Sequence, residues 1–265
     1  MLIKWYELTK DEFAQHRDSA VVAVNFASIE QHAPHLPVGT DVFLGERVLL
    51  EGARRAKRAV LVLPTVCYGY SPHHRFAPGY LTIGQNTLIA YARDICACVA
   101  EQGFGRMVII NSHGGNQSYL SCAVNEIGET YENILKLAKL NYWDLIADAV
   151  AQYRESGLGG MGHAGEFETS LMLYLYPELV RREKIFACDP PAGDRWYQRE
   201  LFSNKVYMKY ESFNKYNKNG NIGQPHFATV EKGRLFFEAV ADALAAFLDD
   251  FGVGGPSPEQ TGQER

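Results

Sequence analysis

The chain has 265 residues, 46% of them hydrophobic and 22% charged, so it is long enough to bury a substantial core in one large domain or two small ones. Its formal net charge of −5 argues against a nucleic-acid partner, because no basic field would attract a phosphate backbone. A small neutral or polar molecule is a better match.

The N-terminal residues, "MLIKWYELTKDEF", contain no apolar signal-peptide core, and no later apolar run approaches the roughly 20 residues that a membrane span needs. We therefore expect a cytoplasmic protein with no membrane partner. The five cysteines are an odd number in apolar surroundings, which favours buried, reduced thiols over a disulfide framework.

Four segments predict β-strands: residues 20–26, 59–66, 106–112 and 133–143. The first three are nearly continuous apolar runs, as in strands buried on both faces of a parallel sheet. Helical patterns lie between them, over residues 42–58, 87–102 and 117–130, and a last amphipathic helix is predicted over 230–251. This alternation predicts an α/β fold, a three-layer αβα sandwich with a mostly parallel central sheet.

Polar loops follow the first three predicted strands. "SIEQHAPHLPVGTD" (residues 28–41) follows the first, "CYGYSPHHRFAPG" (67–79) the second and "HGGN" (113–116) the third. Because sites form at the carboxyl ends of parallel strands, we expect these loops to meet at one edge of the sheet.

The C-terminal third is less regular. Residues 187–224 lack periodicity and are rich in Tyr, Lys and Asn, so we interpret them as an excursion that covers the site or a subunit contact. We predict one domain over residues 1–252 and a disordered Gly/Pro-rich tail over 253–265.

The first loop contains a set of potential metal ligands. Glu30 and His32 are two apart, which in an extended segment puts their side chains on one face, and Asp41 follows after a turn. Imidazole and carboxylate without thiolate favour an open zinc or manganese site. The structural alternative is that His32 and His35 are surface histidines and Asp41 caps the next helix, and this loop alone does not decide between them.

The third loop places His113 directly after a buried strand, followed by Gly114, which lets the backbone approach a ligand. This position is suited to meeting Glu30, His32 and Asp41 at the sheet edge. "HGGN" alone is a weak signal, because such turns are common.

A fourth motif, "GMGHAGEFETSLML" (residues 160–173), contains His163, Glu166 and Glu168 before a helical run. Acidic residues are favoured at a helix start by the helix dipole, so a structural role for both glutamates stays open. His163 has no such explanation, and its unperturbed pKa near neutrality is suited to general acid or base catalysis.

Other candidates are weaker. His73 and His74 lie in the second loop, where they either meet substrate or are surface residues. Trp143 ends the fourth strand and is either core or the wall of a small site. His16 and His226 are more typical of solvated or loop histidines.

Together, "SIEQHAPHLPVGTD", "FAPGYLTIG", "NSHGGN" and "HAGEFETSLMLYLYPELV" resemble, in order, the motifs of the creatininase (creatinine amidohydrolase) family over residues 21–180. The resemblance implies a three-layer αβα fold, often assembled as a hexamer, and a hydrolytic site with two divalent metal ions, Zn²⁺ and/or Mn²⁺. Two such ions activate a shared water and polarise the substrate carbonyl.

By position, the resemblance implies that Glu30, Asp41 and His113 hold one metal, and His32 with bridging Asp41 the other. The family's last ligand, a glutamate two residues after the strand-end histidine, is replaced here by Gly115, and Glu168 is our candidate substitute. His163 would move the proton to the leaving nitrogen, with Glu166 as a second catalytic candidate. His74, Gly114 and Trp143 are the predicted substrate-binding residues.

Creatininase has a Trp-Asp pair before the histidine of the fourth motif, and this chain has Gly159 and Gly160 there, which argues against creatinine as the substrate. Relatives with "HGGN" hydrolyse formamides, a modified peptide or oxidised cyclitols. We therefore expect a homo-oligomeric, metal-dependent hydrolase of a small polar cyclic amide, formamide or related carbonyl compound. The alternatives are a ring-opening hydrolase of a keto-cyclitol and a non-catalytic, metal-stabilised binding protein.

Overall fold

A computed structural model describes residues 1–190, 192–203 and 206–253. Within them, five parallel strands form one sheet with the order β1-β3-β2-β4-β5. The strands are β1 (Leu2–Lys4), β2 (Val21–Phe26), β3 (Val60–Val62), β4 (Arg106–Asn111) and β5 (Lys136–Asn141). The tail predicted from residue 253 lies, apart from Val253 itself, outside the described residues.

The predicted strands are present, with two differences in length. β3 has three residues instead of eight, because Pro64 has no N–H to continue the ladder, although a bridge between Phe26 and Val66 extends the pairing. β5 ends at Asn141, and Tyr142–Ile146 forms a 3-10 turn. β1, a half-buried edge strand that pairs with β3, was not predicted from the sequence.

Six helices surround the sheet within the described residues. They are α1 (Thr40–Arg55), α2 (Gln85–Glu101), α3 (Gln117–Tyr131), α4 (Ala147–Tyr153), α5 (Glu166–Leu175) and α6 (Val230–Phe251). α6 has the predicted bounds and begins where the Thr229 hydroxyl accepts a hydrogen bond from the Lys232 N–H. None of the described helices is long and apolar enough to cross a membrane.

The helices form two layers because successive residues of each buried strand point to opposite faces. Val21, Ala23 and Val108 pack against α1, α5 and α6, whereas Val22 and Val24 pack against α2 and α3. The predicted three-layer αβα sandwich with a parallel central sheet is therefore confirmed. All five cysteines are free, in agreement with the prediction of reduced thiols, but Cys98 and Cys122 are exposed, so the expectation of buried thiols in apolar surroundings is wrong for these two.

The contact between α1 and the sheet depends on a glycine. A Cβ on Gly45 would lie 2.4 Å from Ser112 Oγ and 2.5 Å from Asn25 Nδ2, and both of these residues are buried. The missing side chain thus lets the first turns of α1, with Asp41, lie against the ends of β2 and β4.

We expect Gly45→Ala to lower the free energy of unfolding by about 1–3 kcal/mol, since the overpacking exceeds the gain in helix propensity. Gly128→Ala in α3 is the matched control, because a Cβ there meets nothing within 4 Å. The control should raise stability by about 0.5–1 kcal/mol. Urea denaturation measures the stability of both variants. If Gly45→Ala stabilised the protein as much as Gly128→Ala, α1 would not be in close contact with Asn25 and Ser112.

α5 and α6 are joined by a buried ion pair. Lys232 Nζ lies 2.6 Å from Glu166 Oε1, and the same carboxylate accepts the backbone N–H groups of Glu155 and Ser156 at 3.1 and 2.9 Å. Burial would raise the pKa of Glu166, but the hydrogen bonds from Lys232 and Ser156 outweigh it and lower that pKa. These contacts give Glu166 a structural role and argue against the catalytic role predicted for it.

Glu166→Gln should therefore lower the free energy of unfolding by about 3 kcal/mol, because among the described residues Lys232 keeps only the exposed Glu155 as an anionic partner. We expect the folded variant to retain hydrolytic turnover within about twofold, as its side chain touches no reacting group. Chemical denaturation and steady-state kinetics on the same preparation check both statements. Intact stability with abolished turnover would restore the catalytic assignment.

Candidate metal centre

Six polar side chains converge beyond the carboxyl ends of β2 and β4, from three loops and from the first turns of α1 and α5. They are Glu30, His32, Asp41, His113, His163 and Glu168; His163 is partly buried and the other five are buried despite being polar. The structure therefore brings together all five predicted metal ligands and the predicted acid–base histidine.

The first ligand group is Glu30, Asp41 and His113. His113 Nδ1 lies 3.2 Å from Glu30 Oε2 and 3.1 Å from Asp41 Oδ2. The other ring nitrogen, Nε2, lies 3.1 Å from the Tyr70 carbonyl oxygen, to which it donates. That hydrogen bond fixes the tautomer that leaves Nδ1 free to bind a metal.

The second ligand group is His32, Asp41 and Glu168. His32 Nε2 lies 3.1 Å from Asp41 Oδ1 and 3.9 Å from Glu168 Oε2. His32 Nδ1 donates to the Glu30 carbonyl oxygen at 3.1 Å, so Nε2 is the ring nitrogen that faces the two carboxylates. Glu168, the substitute ligand predicted from the sequence, thus lies within reach of His32 and Asp41.

Asp41 links the two groups. Its Oδ1 faces His32 and its Oδ2 faces His113, and Oδ2 is buried without a hydrogen-bond partner among the described residues. Asp41 does not cap α1: the N-cap residue is Gly39, and Asp41 lies inside the first turn. This carboxylate is suited to bridging two ions, one on each oxygen.

The charges of the cluster favour the binding of cations. Within the part of the chain that the structure describes, Glu30, Asp41 and Glu168 have only histidines as ion-pair partners. Burial, with the neighbouring Asp41, raises the pKa of Glu168 to about 7, although His32 opposes the shift. Burial lowers the pKa of His32, but Asp41 outweighs it and raises that pKa to about 9. Buried carboxylates and imidazoles arranged in this way fit divalent zinc or manganese.

Two alanines next to site histidines have left-handed backbone conformations. Ala33, after His32, has φ 56°, and Ala164, after His163, has φ 50°. Such residues cost roughly 1–2 kcal/mol and often mark functional sites. The Ala164 N–H donates to Glu168 Oε2 at 2.6 Å, so the bend at Ala164 helps to hold the Glu168 carboxylate in place.

His163 lies between the two ligand groups. Its Nε2 donates to the Gln31 carbonyl oxygen at 2.6 Å, and its Nδ1 lies 3.4 Å from Glu30 Oε1. Burial, with the nearby His32 and His74, holds the pKa of His163 well below its usual value. A neutral imidazole with Nδ1 directed at the cluster is suited to accepting a proton there.

His74, predicted to bind substrate, has a different position. It is fully buried; its Nε2 lies 3.1 Å from Glu30 Oε1, and its Nδ1 accepts a hydrogen bond from the Gln31 side chain at 2.9 Å. Ser71 donates to the other oxygen, Glu30 Oε2, at 2.8 Å. These contacts place His74 behind Glu30, where it orients a ligand instead of touching substrate.

A cavity of about 750 Å³ opens above the cluster. Gly114 and Trp143 line it, as expected for the substrate-binding residues predicted at these positions. The excursion over residues 187–224 forms much of the opposite wall with Tyr197, Arg199 and Phe213, so its predicted position over the site is supported.

Two other histidines have structural or peripheral positions. His35 is buried, and its Nε2 lies 2.9 Å from the Thr169 hydroxyl, so it ties the first loop to α5 and is not a surface residue. His226 is exposed in a short turn before α6, as expected.

Two supporting residues, Gln31 and Ser71, were not predicted from the sequence. Gln31 contacts His74 and Ser71 contacts Glu30, yet neither carries a pattern that distinguishes it from a loop residue. The one available signal was their position within loops that follow buried strands. His73, for which a substrate contact and a surface position were both open, lines the cavity.

Comparisons with known proteins agree with the site. The family model described as "Creatininase: Creatinine amidohydrolase" matches residues 6–248. Creatinine amidohydrolase of Pseudomonas putida is 30% identical, over 92% of this chain and 96% of its own length. A mycofactocin precursor peptide peptidase of Mycobacterium tuberculosis is also 30% identical, covering 84% and 82%. The 3-dehydro-scyllo-inosose hydrolase of Thermotoga maritima is 27% identical, covering 87% and 77%.

Among solved structures, a creatininase described as the Mn form superposes with a TM-score of 0.82 at 25% identity, covering 96% of this chain and all of that one. The family match spans nearly the whole sequence and includes every loop that contributes to the cluster. The chain therefore belongs to the creatininase family of metal-dependent hydrolases.

Proposed function

We propose that this protein hydrolyses a C–N bond in a small polar cyclic amide, formamide or related carbonyl compound, using two divalent ions, Zn²⁺ and/or Mn²⁺. The observation that carries the proposal is the position of Asp41, whose two oxygens face two separate ligand groups. Glu30 and His113 complete one group, and His32 and Glu168 the other.

Ions held in these two groups would make a water nucleophilic near neutral pH and polarise the substrate carbonyl. His163 is the proton carrier: its Nδ1 accepts the proton of the attacking water and delivers it to the leaving nitrogen. The Gln31 carbonyl fixes the tautomer by accepting the Nε2 proton, and His74 and Ser71 hold the Glu30 carboxylate in one orientation.

Creatinine itself is not our proposed substrate. A Cβ on Gly160 would lie 2.3 Å from Ser156 Cβ, and Gly159 has φ 89°, so no bulky side chain closes the site from this segment. The cavity of about 750 Å³ is in the usual range of small-molecule sites. A panel of creatinine, hydantoins, N-formyl compounds and short peptides tests the bond type.

The alternative substrate is a keto-cyclitol, in which the same activated water would attack a ring ketone and open a C–C bond. The resemblance to an inosose hydrolase favours including such compounds in the panel. His163 would protonate the leaving carbon in that reaction as it would a leaving nitrogen, so the products formed from the panel decide between the two. A cytoplasmic location and a homo-oligomer, by resemblance a hexamer, remain part of the proposal.

We expect about two divalent metals per chain, and loss of most of both in Asp41→Ala, because the bridging ligand serves both groups. Glu168→Gln should weaken one site only. Glu166→Gln is the matched control on the same helix, and it should keep both metals because its side chain faces Lys232. Elemental analysis after dialysis measures the metal content per chain. Unchanged metal affinity at both sites in Glu168→Gln would show that the second ligand group is assigned wrongly.

His163→Ala should retain both metals and lose turnover by about 10²–10⁴-fold, since it removes the proton carrier without removing a ligand. His226→Ala, an exposed histidine, serves as the control and should match the parent protein in both measurements. Retained turnover in His163→Ala, on the best substrate of the panel, would contradict its role.

A further inference from the structure

We infer that His73 and Phe213 form a binding wall for the planar ring of the substrate, so that the site selects cyclic over open-chain amides. The inference rests on the proposed function and assigns its substrate class. Neither His73 nor Phe213 belongs to the two ligand groups that share Asp41.

His73 lines the cavity beside the ligands. It lies in the turn Pro72–His74, and its ring is parallel to that of His113, with an interplanar angle of 2° and centroids 5.7 Å apart. No hydrogen bond of its imidazole is found within the described residues, whereas the nearby His74 and His163 both have such bonds. A nitrogen of His73 is therefore available to a substrate N–H or carbonyl.

A side chain at residue 115 would meet three neighbours. A Cβ on Gly115 would lie 2.3 Å from the Tyr70 carbonyl oxygen, 2.4 Å from His113 Nε2 and 3.0 Å from His73 Cε1. The Tyr70 backbone and the His113 ring therefore leave no room for a side chain there, and His73 lies beside the same space. Because residue 115 supplies no ligand, His73 borders the space next to His113.

Phe213 supplies the apolar part of the wall. Its ring centroid lies 4.6 Å from His73, 4.6 Å from His74 and 5.3 Å from His163, and the side chain lines the cavity. The ring thus covers the proton carrier from the side of the excursion. Aromatic faces at this spacing are suited to stacking on another planar group.

The segment around Phe213 is anchored on both sides. The Ser212 hydroxyl donates to the His73 carbonyl oxygen at 3.3 Å, which ties the segment to the turn that carries His73. Arg199 pairs with Glu211 and lies 3.9 Å above the ring of Tyr216. His73 and Phe213 are therefore held as one unit, although 140 residues separate them in the sequence.

A metal role for His73 is the competing explanation, because ligand atoms of Glu30, His73 and His74 lie within 4.8 Å of one another. Two contacts of His74 argue against such a three-residue site. His74 Nδ1 accepts a hydrogen bond from the Gln31 side chain, so the proton of a neutral His74 is on Nε2, the nitrogen that faces Glu30. His74 therefore offers no lone pair to a cation there, and His73 and Glu30 alone would have to hold it.

The test compares hydantoin, a planar cyclic diamide, with N-carbamoylglycinamide, which has the same urea and amide groups in an open chain. Equilibrium binding to Mn²⁺-loaded protein is measured by calorimetry for the parent, Phe213→Ala, Phe213→Trp and His73→Leu. Trp196→Ala is the control, since Trp196 is an exposed aromatic of the same excursion that does not line the cavity. Metal content is determined for every variant.

The parent should bind hydantoin more tightly than the open-chain compound. Phe213→Ala should weaken hydantoin binding about five- to tenfold and the open-chain compound less than twofold, and Phe213→Trp should restore the preference. His73→Leu should weaken hydantoin about tenfold with both metals retained, and Trp196→Ala should change nothing.

Equal losses for both compounds in Phe213→Ala, loss of metal in His73→Leu, or no preference for hydantoin in the parent would each overturn the inference. These results differ from failure of the proposed function, which would appear as absent metal or absent turnover with the variants and the parent alike.

Discussion

The structure depends on the burial of three carboxylates, Glu30, Asp41 and Glu168, at one edge of a parallel sheet. Charges in such a position destabilise a fold unless opposite charge and hydrogen bonds compensate them. Here the compensation comes from His32 and His113, from Ser71 and from the Ala164 N–H, and it leaves one oxygen of Asp41 without a hydrogen-bond partner among the described residues. A divalent ion on each side of Asp41 would complete this compensation of charge.

The rest of the fold positions these groups. The carboxyl ends of parallel strands lie at the same edge of the sheet, so loops that are far apart in the sequence meet there. Gly45 lets α1 lie close enough for Asp41 to reach both ligand groups, and the Glu166–Lys232 pair joins α5 to α6. The first of these contacts acts on the orientation of a ligand, which is the property that metal affinity depends on, whereas the second contributes to stability.

Much of this was predictable, for identifiable reasons. Long apolar runs such as residues 20–26 and 106–112 specify buried strands, and polar residues directly after them must lie at the sheet edge. β1 was missed because three half-buried residues carry no pattern. The roles of Glu166 and His74 were also beyond sequence reasoning, because Lys232 lies 66 residues from Glu166 and the contact between His74 and Glu30 spans two loops. The left-handed conformations of Ala33 and Ala164 are likewise set by tertiary contacts, since alanine has no local preference for them.

The central claim is that one carboxylate bridges two ions, and anomalous scattering from crystals grown with Mn²⁺ tests it most directly. Our account predicts two peaks about 3.5–4 Å apart with Asp41 between them, one beside Glu30 and His113 and the other beside His32 and Glu168. A single peak, or a pair of peaks that Asp41 does not join, would contradict it.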